Sequence, residues 1–188
     1  SGEVGYGAIR RLQPGLPIQI IEALGENIPL RDGQLDVVYA RQVLHHTRDL
    51  ARVLGECARV LKNGGVLLVC REHVVDDEHQ LADFLSNHPV HQLVGGENAY
   101  SLDQYLQANL GAGLQLQRLL GPWDSIINAF PAVRSPDALR RYPRTRLERT
   151  LGKLGAVMSF LPGVNALMWR RLNRPVPGRL YSFLAVKP

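Results

Sequence analysis

The sequence predicts an α/β fold built around a parallel β-sheet, and three features of residues 28–69 carry that prediction. Residues 35–40 (LDVVYA) form a β-branched and aromatic run typical of a strand buried on both faces. Residues 50–61 place apolar side chains at helical spacing along one stripe. Residues 66–70 (VLLVC) form an unbroken apolar strand. A helix that links two such strands predicts a right-handed parallel crossover.

The segment before this unit contains a glycine-bearing lead-in and one more predicted strand. Gly5-Tyr6-Gly7 precedes a short helical pattern over residues 8–12. Because no strand feeds into these glycines, we interpret residues 1–17 as a lead-in rather than a phosphate-binding loop. Residues 17–24 (PIQIIEAL) predict a strand, and Asp32-Gly33 predicts the turn that follows it.

The central helix has recognisable boundaries. Asp49 is a suitable N-cap, since its carboxylate can accept a hydrogen bond from a backbone N–H of the first turn. Arg59 and Lys62 favour the negative end of the helix dipole, and Gly64 can adopt the left-handed conformation that ends a helix.

Further elements are predicted in the rest of the chain. Residues 79–87 and a segment capped by Ser101 predict helices, and residues 114–120 and 178–186 predict strands. The face expected to be buried in the second helix consists of Leu102, Tyr105, Leu106 and Leu110, with Gly111 and Gly113 ending it.

Residues 123–177 are predicted to be a helical, basic insertion before the last strand, within a single domain of residues 1–188. The apolar stretch 151–169 is interrupted by Pro162-Gly163, so a helical hairpin is favoured over a membrane span. Arginines flank this stretch on both sides: Arg140, Arg141, Arg144, Arg146, Arg149, Arg170, Arg171 and Arg174. A lid, a dimer contact, membrane-surface attachment and a packed structural cap all fit this pattern.

The net charge of +5 is unevenly distributed. Residues 1–133 hold 10 Lys and Arg against 15 Asp and Glu, whereas residues 134–188 hold 12 against 2. A solvated basic face and an anionic-partner site both fit this distribution. No recognisable nucleic-acid-binding module accompanies the basic third, so a nucleic-acid partner is not predicted.

The cellular compartment is inferred from the two cysteines and the first residues. Cys57 lies on the apolar helix stripe and Cys70 ends an apolar strand, so both are predicted to be reduced, buried thiols. The first residues lack the pattern of a signal peptide. We therefore expect the protein in the cytoplasm.

Three polar segments follow predicted strands and are expected to meet at one edge of the sheet, where open α/β sheets bind ligands. They are residues 25–27 (GEN), 41–46 (RQVLHH) and 71–73 (REH). Adjacent His45 and His46 cannot both point easily at one ion, and the cluster His73, Asp76, Asp77 and His79 is more typical of a solvated loop. No metal site is therefore predicted. No serine lies on a strand-to-helix elbow, so hydrolase chemistry is not indicated.

Four short motifs carry a resemblance to a known family: residues 26–30 (ENIPL), 36–39 (DVVY), 43–46 (VLHH) and 58–65 (ARVLKNGG). In this order and spacing the chain resembles the class I S-adenosylmethionine-dependent methyltransferases, in particular the small-molecule group called type 11. The resemblance is clear over residues 18–72 and does not cover the insertion. It implies a Rossmann-like, mostly parallel sheet with an antiparallel terminal hairpin.

The resemblance also implies roles for particular residues. Gly25, Glu26 and Asn27 match the loop that meets the adenine of S-adenosylmethionine, although Leu24 stands where an aspartate is common. Ala40, Arg41 and Gln42 match the strand end that lines the methionine side of the cofactor. His45 and His46 lie beside the cleft, and Glu72 and His73 face the substrate. His46 or His73 is the candidate catalytic base.

The chain departs from the family pattern at its beginning. The first strand, the Gly-rich loop, the next helix and the acidic end of the second strand are not found in it, which implies an N-terminally truncated sheet. Three accounts remain open: a piece of a longer protein, a sheet completed by a partner such as a second copy, and a degenerate non-catalytic module for dimerisation or anionic-partner binding. The leading expectation is methyl transfer from S-adenosylmethionine to a small, lipid-like acceptor.

Overall fold

A mixed five-stranded β-sheet with helices packed against it organises the protein. The structure is a computed structural model, and it describes residues 17–87, 91–92, 98–174 and 179–188. The predicted lead-in of residues 1–17, with Gly5-Tyr6-Gly7, lies outside these residues except for Pro17, and so does Gly178 of the predicted last strand.

The strands are β1 (Leu35–Arg41), β2 (Leu61–Val75), β3 (Tyr100–Ser101), β4 (Gln115–Leu120) and β5 (Arg179–Val186). The α-helices are α1 (Leu50–Val60), α2 (Glu78–Asn87), α3 (Leu102–Gly111), α4 (Ile126–Ala129), α5 (Pro136–Met158) and α6 (Pro162–Leu172), and a 3₁₀ turn spans Leu44–His46.

The strands run in the spatial order β1-β2-β5-β4, with β3 beside the end of β2. β1 and β2 are parallel, as the crossover through α1 predicts, whereas β5 is antiparallel to both β2 and β4. This arrangement confirms the α/β class and the antiparallel terminal hairpin. It also brings the carboxyl ends of β1 and β2 to the same edge of the sheet.

The core lies between the sheet and the helices α1 and α3. The predicted stripe of α1 is buried at Leu50, Val53, Leu54, Cys57 and Val60. Asp49 caps the helix by accepting a hydrogen bond from the backbone N–H of Arg52 at 2.9 Å. The helix ends at Val60, before Gly64, which adopts a positive φ of 78° after β2 has begun.

Four details of the predicted core and sheet are wrong. Cys70 is half-buried rather than buried, and β1 is not buried on both faces, since Val37 and Tyr39 are exposed. Residues 17–24 form no strand, and Ile18, Ile21 and Leu24 are exposed. An extended segment becomes a β-strand only when a neighbouring strand forms backbone hydrogen bonds with it. No strand among the described residues pairs with residues 17–24. Leu110 is 68% exposed. It lies about 140° around α3 from the buried Tyr105, so it points away from the core.

The loop before β1 is held along α1 by two charged side chains. Arg59 donates hydrogen bonds to the carbonyl oxygens of Ile28 and Leu30, both at 2.8 Å, and to the carboxylate of Asp32 at 2.7 Å. Glu56 accepts from the backbone N–H of Ile28 at 2.7 Å. The hydrogen bond from Arg59 lowers the pKa of Glu56 to about 2. These contacts fix the path of residues 25–34.

β1 lies at an edge of the described sheet, where it pairs with β2 alone. Its side chains Val37 and Tyr39 are 52% and 60% exposed. A strand edge with apolar side chains is a surface that other chain segments can extend.

Gly65 gives a test of the close packing within the start of β2. A Cβ atom there would lie 2.7 Å from the carbonyl oxygen of Lys62 and 3.0 Å from a methyl group of Leu61. Gly65→Ala should therefore lower the free energy of unfolding by about 1–3 kcal/mol, as measured by urea titration.

Gly55→Ala is the matched control in the same titration. A Cβ atom at Gly55, in the middle of α1, meets nothing within 4 Å. This substitution should raise the free energy of unfolding by about 0.5–1 kcal/mol. Equal effects of the two substitutions would show that the contacts at Gly65 are not tight.

Candidate active site

The chain turns sharply directly after β1 and again within the last part of β2. Gln42, directly after β1, has a φ of 51°, and Arg71, within β2, has a φ of 63°. Both lie in the left-handed region, which non-glycine residues adopt only when surrounding contacts hold them there. The backbone N–H of Gln42 donates to the carbonyl oxygen of Cys70 at 3.0 Å. The register of β2 against β5 also shifts between Val69 and Glu72.

This irregular strand end places the carboxylate of Glu72 in the interior, where the side chain is fully buried. One carboxylate oxygen accepts from the backbone N–H of Val43 at 2.9 Å. The other accepts from the backbone N–H of His45 at 3.1 Å and pairs with Nδ1 of the same residue at 2.8 Å. Glu72 therefore fastens the turn after β1 to the end of β2.

The electrostatics of Glu72 determine the tautomer of His45. Burial alone raises the pKa of Glu72, but hydrogen bonds from His45 and from the backbone N–H groups outweigh it, so the pKa lies below its ordinary value. An ionised carboxylate only accepts hydrogen bonds. Nδ1 of His45 consequently carries a hydrogen and donates a hydrogen bond to Glu72.

Three imidazole rings cluster around this pair. The rings of His45 and His46 have centroids 4.1 Å apart, and those of His45 and His73 lie 4.8 Å apart, edge to face. His73 also contacts the ring of Phe84 on α2, at 4.7 Å. The two candidate bases are thus brought together from β2 and from the turn after β1.

A groove of about 710 Å³ lies beside the exposed His46. Its walls come from the loop before β1 and from the start of α1, and its lining residues are Ala23, Leu24, Gly25, Glu26, His46, Thr47, Arg48, Asp49 and Arg52. Two hydrogen bonds hold these walls together. The Glu26 carboxylate accepts from the backbone N–H of Arg48 at 3.2 Å, and its carbonyl oxygen accepts from Nε of Arg52 at 2.8 Å.

The predicted site residues occupy different environments. Gly25, Glu26 and His46 share the groove. Asn27 closes a turn by donating its backbone N–H to the carbonyl oxygen of Leu24 at 3.0 Å. The remaining ones are Ala40 in the core, Arg41 exposed, Gln42 in the left-handed turn, His45 buried on Glu72, and His73 half-buried between His45 and Phe84.

Two structural roles were not predicted from the sequence. Glu72 was expected to face the substrate, but it anchors the turn from within. The neighbouring Arg71 is also buried, and its guanidinium donates to the carbonyl oxygens of Ile127, Asn128 and Phe130 at the end of α4. Burial and the charge of Arg41 lower the pKa of Arg71. The sequence signal for both roles was the charged pair Arg71-Glu72, which directly follows the apolar run of residues 66–70.

The described part of the chain contains neither a metal-binding cluster nor a membrane-spanning helix. There, no group of three or more His, Cys, Asp and Glu side chains is placed to hold a metal ion. No helix in the same residues has the length and apolarity needed to cross a membrane.

Comparison with known proteins finds a family match in the first part of the chain. Residues 6–69 match the family model described as a methyltransferase domain. A probable S-adenosylmethionine-dependent methyltransferase of Mycobacterium tuberculosis is 42% identical over 52 residues, which are 28% of this chain and 19% of that protein. The sarcosine/dimethylglycine N-methyltransferase of Halorhodospira halochloris is 35% identical over 60 residues, which are 32% of this chain and 22% of that protein. The matched segment thus spans about a fifth of these relatives.

A solved structure extends the likeness to the fold. The geranyl diphosphate C-methyltransferase of Streptomyces coelicolor superposes with a TM-score of 0.58 at 13% identity, covering 97% of this chain and 58% of that one. At this identity the superposition shows a Rossmann-like methyltransferase fold. The family match over residues 6–69 and the S-adenosylmethionine-dependent relatives agree with this fold.

Proposed function

We propose that the protein transfers a methyl group from S-adenosylmethionine to a small-molecule acceptor of lipid-like character. The groove beside His46 carries the proposal, because it lies between the Gly25-Glu26 turn and the turn that follows β1. Open α/β sheets bind ligands at this edge. The relatives reported above support the same chemistry, and nothing in them favours the non-catalytic module.

The residues of the groove are compatible with this cofactor. Its volume of about 710 Å³ lies within the range of roughly 300–1,000 Å³ usual for small-molecule sites. The carboxylates of Glu26 and Asp49 and the apolar side chain of Leu24 offer both polar and apolar contacts. S-adenosylmethionine would supply a methyl group already activated by its sulfonium. The chain then has to bind and orient donor and acceptor and, for an oxygen or nitrogen acceptor, remove a proton.

His46 or His73 is proposed as the base that removes this proton. His46 is exposed at the groove, and His73 lies behind it across His45. Glu72 positions both histidines through His45. It fixes the turn that carries His46, and it holds the His45 ring against which His73 packs. The cofactor contacts are proposed to come from Gly25, Glu26, Asn27, Ala40, Arg41, Gln42 and His45.

The acceptor is proposed from the named relatives and from the insertion. Sarcosine and dimethylglycine appear in the name of one relative, and one neighbouring structure contains geranyl diphosphate. The apolar side chains between α5 and α6 favour the lipid-like choice.

Domain organisation, assembly and compartment complete the proposal. We propose one domain with residues 123–177 as its insertion, and a homodimer joined through the open edge of β1. The cytoplasm is proposed because both cysteines are free thiols. A monomer in sedimentation velocity at the highest soluble concentration would contradict the dimer.

Isothermal titration with S-adenosylmethionine and S-adenosylhomocysteine tests the cofactor site. Wild-type protein should bind both. Glu26→Gln should weaken binding about tenfold or more, because a hydrogen bond to a charged group is lost from the groove. Glu78→Gln, an exposed carboxylate on α2, should leave binding unchanged. Absence of heat at high micromolar ligand would contradict the proposal for this chain.

Release of S-adenosylhomocysteine in the presence of sarcosine, dimethylglycine or geranyl diphosphate tests the proposed base. Replacing the true base with glutamine, in His46→Gln or His73→Gln, should lower turnover about 100-fold or more. His79→Gln, on the exposed side of α2, is the matched control. Near wild-type turnover in both variants would exclude a histidine base.

Glu72→Gln tests the anchored turn. The glutamine amide has only one acceptor oxygen, and its NH₂ group would face N–H groups that now donate to the carboxylate. The free energy of unfolding at neutral pH should therefore fall by about 1–3 kcal/mol. The folded-state pKa of Glu72 lies below its ordinary value of 4.5. Its stabilisation is therefore present above that value and is lost as the pH falls toward the folded pKa.

Urea titrations at neutral and acidic pH should therefore show a smaller acid loss of stability in Glu72→Gln than in wild type. Glu78→Gln should follow the wild-type profile. An identical acid loss in wild type and Glu72→Gln would contradict the lowered pKa.

A further inference from the structure

The end of α5, the turn that follows it and the first half of α6 expose a group of large apolar side chains. Leu154, Val157, Phe160, Leu161 and Leu167 are 62%, 67%, 71%, 55% and 51% exposed. We call these five residues the apolar tip. Exposed single apolar side chains are common, but five within 14 consecutive residues form a surface that calls for a partner.

The backbone around the apolar tip is well defined by its own contacts. Gly152 breaks α5 with a φ of 57°, a conformation that favours glycine. Gly155 then packs so close to the carbonyl group of Leu147 that a Cβ atom there would clash. Asn165 donates its side-chain amide to the carbonyl oxygen of Ser159 at 2.7 Å and so closes the turn. These contacts fix the backbone conformation that exposes the apolar tip.

Positive charge flanks the apolar tip in the sequence. Residues 134–174 contain ten Lys and Arg against two acidic residues, and those ten side chains are exposed. The two carboxylates, Asp137 and Glu148, pair with Arg140 and Arg144. The segment therefore carries eight more positive charges than negative charges.

Two grooves combine this charge with apolar walls. One, of about 520 Å³, is lined by Arg170, Arg171 and Arg174 together with Leu167. The other, of about 420 Å³, lies between α5 and α6, where Arg146 and Arg171 meet Leu147, Leu151, Met168 and Leu172. Each groove offers cations next to apolar surface.

We propose that the α5–α6 hairpin docks onto a lipid surface that contains anionic phospholipids. The apolar tip enters the boundary between headgroups and acyl chains, and the arginines beside it contact lipid phosphates. The protein then lies on the membrane without spanning it. This inference does not depend on methyl transfer.

The combination of charge and apolarity favours lipid over other partners. A second copy of the chain would bring the same excess of positive charge to the contact, and like charges repel. A nucleic acid would match the charge but would leave the apolar tip without an apolar partner. An anionic bilayer satisfies both features at once.

Co-sedimentation with phospholipid vesicles tests the proposal. Wild-type protein should bind phosphatidylcholine vesicles that contain about one-third phosphatidylglycerol, and should bind pure phosphatidylcholine much more weakly. Raising the salt concentration should weaken the binding, because it screens the charges. No binding to the anionic vesicles would overturn the proposal.

Two pairs of variants separate the contributions of charge and apolarity. Arg170→Ser/Arg174→Ser should lower the partition coefficient about 25-fold, at roughly fivefold per charge, whereas Arg31→Ser/Arg118→Ser should not change it. Phe160→Ser should lower it about tenfold or more, whereas Leu110→Ser, equally exposed on α3, should not. Circular dichroism confirms that each variant folds.

Two results would contradict the proposal in different ways. Equal losses in the hairpin variants and their controls would show that the binding is nonspecific. A lipid-free oligomer that Phe160→Ser dissociates, with no vesicle binding by wild type, would assign the tip to contact between copies.

Discussion

The buried carboxylate of Glu72 is the contact on which the site depends. Burying an ionised group without partners costs several kcal/mol, so its three hydrogen bonds to Val43 and His45 are a condition of the fold. They require the left-handed turn at Gln42 and the irregular end of β2. They also fix the ring of His45, and through the same turn they place His46 at the groove. One buried charge thus links the strand ends to the candidate chemistry.

The residue before Glu72 connects the same strand end to the insertion. Arg71 donates to carbonyl groups of α4, while Asn128 of α4 donates its amide to the carbonyl oxygens of Leu120 and Gly121 at 2.9 and 2.8 Å. Trp123 stacks on Tyr142 of α5 with centroids 4.3 Å apart. The first part of the segment between β4 and β5 therefore packs against the sheet, whereas its apolar tip and arginines are exposed.

Local patterns predicted the elements whose signal is complete within a short segment. Asp49, the apolar stripe of α1 and the run after Gly65 predicted a helix and a strand that the structure contains, because capping and periodicity act over a few residues. Residues 17–24 have the composition of a strand but no partner among the described residues. Leu110 has the composition of a core residue, but it lies on the wrong side of α3.

The sequence by itself determined the α/β class, the resemblance to methyltransferases and the polar segments 41–46 and 71–73 at one edge of the sheet. Those follow from periodicity and from motifs that are each contiguous in the chain. The tertiary structure decided what these residues do there, since the pairing of His45 with Glu72 spans 27 positions and that of Arg71 with α4 spans more than 50. A buried charge is stable only with partners that the fold brings to it from elsewhere in the chain, and no local pattern specifies them.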